Sequence, residues 1–204
     1  TAALFLQTVD NLRTRDFGFA ADTLLQVRTN PEASGYAREQ LPTLASRVVE
    51  RLGATPGVRG VSVAQSGFAT GTPRTCCIAI PGRVFDSDRE RQVWTMGVGP
   101  GYFATVGQRV RIGRDFASQD FGDDRSGRMT VVIVNEAFAR QFLGAGNPIG
   151  EHVGWGNPPK VRYDIEIVGV VNDAVYDDVR AVGKPLMYFP SEAGDLYVVR
   201  AQGK

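Results

Sequence analysis

The sequence has little of what most metal-dependent active sites are built from. Its 204 residues include a single histidine and only two cysteines. Because Cys76 and Cys77 are adjacent and His152 is their only histidine companion, no zinc-binding spacing can be formed. Adjacent side chains of a strand point to opposite faces, so we expect two free thiols and no vicinal disulfide. The sequence therefore predicts no bound metal and no other cofactor.

Nucleotide-binding motifs are also missing. No G-x-x-x-x-G-K-[ST] stretch is present, which excludes ATP binding by a phosphate loop. Gly97, Gly99 and Gly101 form one glycine-rich stretch, and residues 144–150 contain another. Neither has the Rossmann spacing, and the second follows a predicted helix when it should open one. Both are interpreted as turns and helix ends.

Long apolar runs and a strong charge of one sign are absent. No run of about 18 apolar residues occurs, so no complete membrane helix is expected. A net charge of +1 argues against an extended nucleic-acid surface. No signal peptide is visible and the chain opens with Thr1, so we expect an excised piece of a longer protein. With 43% hydrophobic and 22% charged residues, the composition is that of an ordinary globular protein with a sizeable core.

Three residues are candidate catalytic groups. Glu136 and Asp173 each follow a predicted strand, and paired carboxylates can perform acid–base chemistry. The helix dipole explains Glu136 and turn chemistry explains Asp173 equally well. His152 has no G-x-S-x-G nucleophile to serve. We therefore assign no catalytic residue.

An acidic stretch invites a calcium-site interpretation. Asp120, Asp123 and Asp124 lie close together in a segment that also contains glycines. They lack the D-x-D-x-D-G spacing of a calcium loop. The stretch is interpreted as a solvated loop.

The stretch from Val131 to Val171 is the most strongly patterned part of the chain. A β-branched run at Val131–Val134 predicts a buried strand. Asn135 is a favoured N-cap, and replacing it with alanine is expected to cost about 1 kcal/mol. Phe138 and Phe142 share one face of the following helix. A second apolar strand, Ile165–Val171, is predicted to lie beside the first.

A β–α–β unit is predicted near the start of the chain. It combines strands at Leu24–Thr29 and Val58–Ala64 with a helix within Tyr36–Leu52, whose apolar residues recur at helical spacing. Pro42 is expected in the first turn of that helix. Further strands are predicted at 75–80, 91–98, 186–189 and 196–200, and short helices at 101–106 and 175–182.

Several of these segments, taken in order, resemble the MacB-like periplasmic core domain of MacB/FtsX-type ABC transporter permeases. They read LFLQTVDNLRTRDFGFAADTLLQVRT, ERLGATPGVRGVSVA, GPGYFATVG, RIGRDFASQD, VVIVNEAFARQFLGAGNPIGEHV, EIVGVVNDAVYDDVR and KPLMYFP. The resemblance implies an α+β fold of two lobes. Residues 1–16 are then a stalk helix continuing from a membrane helix, 17–65 plus 191–204 a β–α–β membrane-proximal lobe, and 66–190 a larger, inserted, mixed α/β lobe.

The same resemblance implies a function without chemistry. The chain is expected to be the periplasmic, extracytoplasmic domain of a cell-membrane permease, to convey conformational change and to contact partner or cargo. Its implied partners are a second permease copy in a homodimer, an ABC ATPase domain, and a periplasmic adaptor or cargo, with no nucleic acid.

Two other functions are compatible with the residues. One is a stand-alone extracytoplasmic ligand-binding module with its pocket between lobes. The other is a small hydrolase that uses Glu136, Asp173 or His152. Long apolar segments flanking the chain in its full reading frame would favour the permease, whereas a signal peptide followed by a stop codon would favour the other two.

Overall fold

The structure, a computed structural model, describes residues 16–68, 73–121, 129–176 and 183–203. Residues 1–15 of the predicted stalk helix, Asp123, Asp124 and most of the predicted helix at 175–182 lie outside these ranges. Within them, no helix is both long and apolar enough to cross a membrane.

Strands outnumber helices in the described part of the chain, in keeping with the expected α+β class. The strands are β1 (Leu24–Arg28), β2 (Val58–Ala64), β3 (Arg74–Ala79), β4 (Gln92–Val98), β5 (Val110–Gly113), β6 (Val131–Asn135), β7 (His152–Trp155), β8 (Ile165–Val171), β9 (Leu186–Pro190) and β10 (Leu196–Ala201). The helices are α1 (Leu41–Gly53), α2 (Tyr102–Val106) and α3 (Glu136–Phe138), and a wider π turn, Ala139–Leu143, continues α3.

Strands β1, β10 and β2 form what we call the first sheet. β10 lies between the other two and is antiparallel to both, so β1 and β2 run parallel, as a β–α–β unit requires. Helix α1 begins with Pro42 in its first turn, as predicted, because that position needs no backbone donor. Ala45 of α1 packs on Val63 and Tyr197 of the sheet, and the three form a small apolar core.

The pairings of six further strands close into a ring, β4–β3–β7–β8–β6–β9 and back to β4. The β6–β8 and β4–β9 pairs are parallel and the other four are antiparallel. The predicted adjacency of 131–134 and 165–171 is confirmed, and β5 extends the pairing along the end of β8. We call these six strands the ring.

Side-chain alternation gives the ring an inside and an outside. Each of its strands contributes to one buried apolar cluster, through Ile78, Val93, Val132, Val153, Ile165 and Met187. Phe138 and Phe142, on α3 and its π turn, belong to the same cluster and close the end of the ring where β6 finishes. At that end the interior of the ring is therefore a packed core. Burying each such side chain contributes about 1.5–3 kcal/mol to the free energy of unfolding.

The outer face of the ring and the first sheet share a second core. It includes Val98, Phe103 and Tyr188 together with Leu196 and Val198 of β10. The division into two lobes, with boundaries at 65/66 and 190/191, stays a prediction. Described residues on both sides of these boundaries belong to this one apolar cluster.

Candidate functional site

The start of the described chain, residues 16–20, is here called the leading segment. It is held by one side-chain group and one backbone group of the residues that follow β8. The carbonyl oxygen of Gly18 accepts a hydrogen bond from the Asn172 side-chain amide at 2.9 Å. The carbonyl oxygen of Phe17 accepts one from the Val175 amide at 3.0 Å. The segment is therefore fastened to the part of the chain that leaves the ring.

Close packing reinforces these bonds. Gly18 has a φ of +77°, and a Cβ at this position would overlap the carbonyl oxygen of Asp173. Ala20 donates its amide to the carbonyl oxygen of Val106, at 2.8 Å. A Cβ on Gly107 would lie 3.0 Å from the Ala20 Cβ. Only glycine at position 18 allows the chain to approach this closely.

An aromatic stack connects the leading segment to the loop after β2. The ring of Phe19 lies on that of Phe68, with centroids 3.6 Å apart, and Phe68 lies on Tyr176 at 4.5 Å. Gln26 of β1 holds the backbone of Phe68 through two hydrogen bonds, donating to its oxygen at 2.9 Å and accepting from its amide at 2.8 Å. The stack therefore joins the leading segment, the first sheet and the exit from β8.

A buried hydroxyl network continues from the stack into the outer core. The Tyr176 hydroxyl lies 3.2 Å from those of both Tyr102 and Tyr188 and donates to Gln108 Oε1 at 3.1 Å. Gln108 also donates to the carbonyl oxygen of Asn172 at 3.0 Å. Burial raises the pKa of all three tyrosines above the usual range. The hydroxyls are therefore neutral and act as hydrogen-bonding groups.

Asn135 has a larger role than an N-cap. Its side-chain oxygen accepts from the Phe138 amide at 3.0 Å, which confirms the predicted cap. The same oxygen accepts from the Leu186 amide at 2.9 Å, and the side-chain nitrogen donates to the carbonyl oxygen of Lys184 at 2.9 Å. Asn135 is 1% exposed, so these bonds join β6, α3 and the start of β9 from a side chain that is buried from solvent.

Asp173 and Glu136, the candidate acid–base pair, are both engaged in other contacts. Asp173 accepts from the Ala137 amide at 2.8 Å and pairs with Arg140 at 2.6 Å. Glu136 lies 3.7 Å from Arg111. The structure thus brings both to the start of α3, where negative charge favours the helix, and gives each a cationic neighbour.

In the described ranges, one strand pair joins the first sheet to the ring. Ala64 of β2 is paired with Val98 of β4, and the amides of Gln65 and Gly99 donate to carbonyl oxygens across it. A Cβ at Gly97 would lie 2.6 Å from the Gln65 side chain. Gly97 and Gly99 therefore permit a close strand crossing, which the interpretation of this stretch as turns and helix ends did not foresee.

The remaining glycine predictions agree with the structure. Gly101 caps α2 with a positive φ, and Gly144 ends the π turn.

The other candidate residues lie apart from this region. His152 is exposed on β7, where Nδ1 is 2.9 Å from the carbonyl oxygen of Gly150. Asp120 pairs with Arg114 at 2.6 Å. Although burial opposes its ionisation, hydrogen bonds from Arg114 and a backbone amide hold the pKa of Asp120 below its usual range. In the described ranges no group of three or more His, Cys, Asp or Glu residues is arranged to hold a metal ion.

The two cysteines are not joined in the structure. Cys76 and Cys77 are both half-buried free thiols on β3. Burial raises the pKa of the Cys76 thiol, so the thiolate that would react or bind metal is disfavoured.

The sequence did not point to the leading segment, the aromatic stack or the hydroxyl network. Phe19, Phe68 and Tyr176 lie in three separate loops, where no periodicity marks a buried residue. The one signal in the sequence is Gly18, a glycine between two phenylalanines, which suggests a positive φ. Its contact with the carbonyl oxygen of Asp173 becomes visible only in the structure.

A known family matches nearly the whole chain. The family described as MacB-like periplasmic core domain matches residues 2–202. The comparison with curated proteins returned no match. Among solved structures, the periplasmic region of MacB from Actinobacillus actinomycetemcomitans is similar with a TM-score of 0.58 and 17% identity, over 97% of this chain and 81% of that one.

Two further structures are similar. A domain of a permease-like protein from Porphyromonas gingivalis has a TM-score of 0.51 and 16% identity, over 76% of this chain and 66% of that one. The extracellular domain of the ABC-type transporter YknZ from Gram-positive bacteria has a TM-score of 0.49 and 17% identity, over 89% and 83% of the two chains.

Proposed function

The chain belongs to the MacB-like periplasmic core domain family, and we propose that it is the extracytoplasmic part of an ABC transporter permease that conveys conformational change and catalyses no reaction. The observation that carries this proposal beyond the family match is the attachment of the leading segment. It forms hydrogen bonds to the residues that follow β8 and to α2. Through Phe68 it is also linked to the first sheet.

In this proposal residues 1–16 are a stalk that transmits movement of a membrane helix to the leading segment. Residues 17–65 with 191–204 form the membrane-proximal lobe, and residues 66–190 form the inserted lobe. If the leading segment is displaced, it must either move Asn172 and the residues after it or break its hydrogen bonds to them and the stacking of Phe19 on Phe68. Since packed cores shift between discrete arrangements and do not deform continuously, a small displacement is expected to move one lobe against the other.

The narrow strand contact between Ala64 and Val98 supports relative movement of the lobes. One antiparallel pair offers few hydrogen bonds to lose compared with the long pairings inside the first sheet and the ring. We propose that this pair is the place where the lobes pivot.

A non-catalytic role is supported by the engagement of the candidate catalytic groups. Asp173 and Glu136 lie beside arginines at the start of α3, and His152 lies on a different strand, β7. We propose that the intact permease works with a second copy of itself and an ABC ATPase domain, and that the lobes meet a periplasmic adaptor or cargo.

A disulfide across the pivot tests the proposal. Ala64 and Val98 are directly opposed, and the flanking bonds make them a non-hydrogen-bonded pair, whose Cα atoms are typically about 4.5 Å apart. That distance suits a disulfide. Ala64→Cys with Val98→Cys is made in the full-length permease, in a Cys76→Ser, Cys77→Ser background. ATP-driven cargo export is expected to stop under oxidation and to return with reductant.

The matched control is a disulfide within the first sheet, Leu25→Cys with Val199→Cys, which joins directly opposed residues of β1 and β10. It is expected to leave export unchanged. Export that continues at the normal rate with the pivot fully cross-linked would show that movement between lobes is not required.

A further inference from the structure

A pocket of about 330 Å³ lies at the open end of the ring. Helix α3 closes the end where β6 finishes, whereas Met129, just before β6 begins, lines the pocket. Phe189 and Pro190, at the finish of β9, line it as well. Because β9 runs antiparallel to β6, these residues mark the end opposite α3. The mouth of a strand ring is a common place for a small-molecule site.

The pocket walls are mainly apolar. Trp155 and Phe189 form an aromatic pair with ring centroids 5.4 Å apart. Met129 is 45% exposed, unusually open for a large apolar side chain. The volume is near the lower limit of small-molecule pockets, roughly 300 Å³. The walls therefore suit one aliphatic chain or ring system.

Of the described residues that line the pocket, Arg74 is the single charged one. It lies on the same face of the strands as Cys76, since the two are alternate residues of β3. Among the described residues its guanidinium has no hydrogen-bond or ion-pair partner. The described residues that line the pocket include no carboxylate to oppose an anion. Arginine presents a planar set of donors that matches a carboxylate.

We propose that this pocket binds a small amphiphilic carboxylate, with its apolar part between Trp155, Phe189 and Met129 and its carboxylate at Arg74. The site goes beyond the proposed function and does not depend on it. The occupant is a free small molecule, because the pocket is small and its charge complementarity calls for one anionic group beside one apolar body.

The two cysteines provide a built-in reporter. Cys76 lines the pocket, whereas Cys77 points to the opposite face of β3. A ligand in the pocket is therefore expected to slow thiol labelling of Cys76 in a Cys77→Ser variant and to leave labelling of Cys77 in a Cys76→Ser variant unchanged.

The affinity test uses the complete chain with decanoate and, as its uncharged counterpart, decanol, followed by calorimetry. Arg74→Met is expected to weaken decanoate binding about tenfold, the effect of one charge-assisted contact near the surface. Decanol binding is expected to be equally weak to both proteins. Arg59→Met is the matched control, because Arg59 is exposed on β2 of the first sheet.

Several results would overturn the proposal. One is no decanoate binding, and another is equal binding of decanoate and decanol by the unaltered chain. Decanoate binding that Arg74→Met leaves intact, or equal protection of Cys76 and Cys77, would place the ligand elsewhere. Binding of a decanoyl amide peptide as tightly as decanoate would indicate a protein segment as the occupant.

Discussion

Gly18 holds the leading segment against the chain that leaves β8. Both its positive φ and the carbonyl oxygen of Asp173 oppose a side chain here. Gly18→Ala is therefore expected to lower the free energy of unfolding by at least about 3 kcal/mol, since backbone strain and overpacking add. Gly35→Ala is the control, because Gly35 has a φ of +87° and open space around it. It is expected to cost about 1–2 kcal/mol. Equal costs in urea unfolding would contradict the close contact.

Replacing Asn135 with alanine is expected to cost more free energy of unfolding than the loss of a helix cap alone. The cap alone predicted a loss of about 1 kcal/mol for Asn135→Ala. The structure adds a buried hydrogen bond from the Leu186 amide and a partly buried one to the Lys184 carbonyl oxygen, and the loss of both raises the expected cost to about 3 kcal/mol. Asn147→Ala, which removes one exposed turn bond, should cost no more than about 1 kcal/mol. A loss at Asn135 as small as that at Asn147 would show that the β9 contacts contribute nothing.

The three buried tyrosines give a pH prediction. Burial raises the pKa of Tyr102, Tyr176 and Tyr188 in the folded protein. Unfolded tyrosines ionise near pH 10, so the stability from these neutral hydroxyls is complete below about pH 10 and is lost as the pH rises further. In an absorbance titration, the three should ionise only together with alkaline unfolding. Tyr102→Phe should reduce that late step by one tyrosine.

A titration in which these tyrosines ionise smoothly while the circular dichroism stays native would contradict the buried network.

At the scale of elements, most strands followed from local pattern. β6 and β8 were predicted because their side chains are buried on both faces, which produces continuous apolar runs. β7 was not predicted: its four residues include two with polar or absent side chains, and pairing with β3 and β8 stabilises it. Local propensity carries no information about such long-range pairing.

Among the described strands β1 is the edge of the first sheet, and it is expected to cause self-association. Leu25 and Val27 are 60% and 49% exposed and oppose Val199 and Tyr197 on the face that carries α1. Exposed apolar residues on an edge strand favour pairing with another chain. The isolated chain is therefore expected to dimerise in sedimentation at high concentration.

Leu25→Lys combined with Val27→Lys should keep the chain monomeric without unfolding it, whereas Val84→Lys, in an exposed loop, should not alter association. A double-lysine variant that still dimerises would locate the interface elsewhere.

At the scale of the whole molecule, the sequence and structure differ in what they reveal. The resemblance predicted the family correctly, because its motifs lie in order along nearly the whole chain. The closed ring was not predicted, since closure depends on β4 pairing with β9, strands more than 80 residues apart in sequence. The contacts of the leading segment could not be predicted for the same reason, because Phe68 and the residues after β8 are distant from it in sequence.

We propose that the two predicted lobes move relative to each other when the permease works. The most direct measurement places spin labels at Arg59 on the first sheet and Arg89 near the start of β4, both exposed, in a full-length permease lacking Cys76 and Cys77. Pulsed electron spin resonance then compares the label distances with and without ATP in the assembled transporter. We expect ATP to shift the distance distribution and the Ala64–Val98 disulfide to abolish the shift. Identical distributions in both nucleotide states, from a transporter that hydrolyses ATP and exports cargo, would contradict the account.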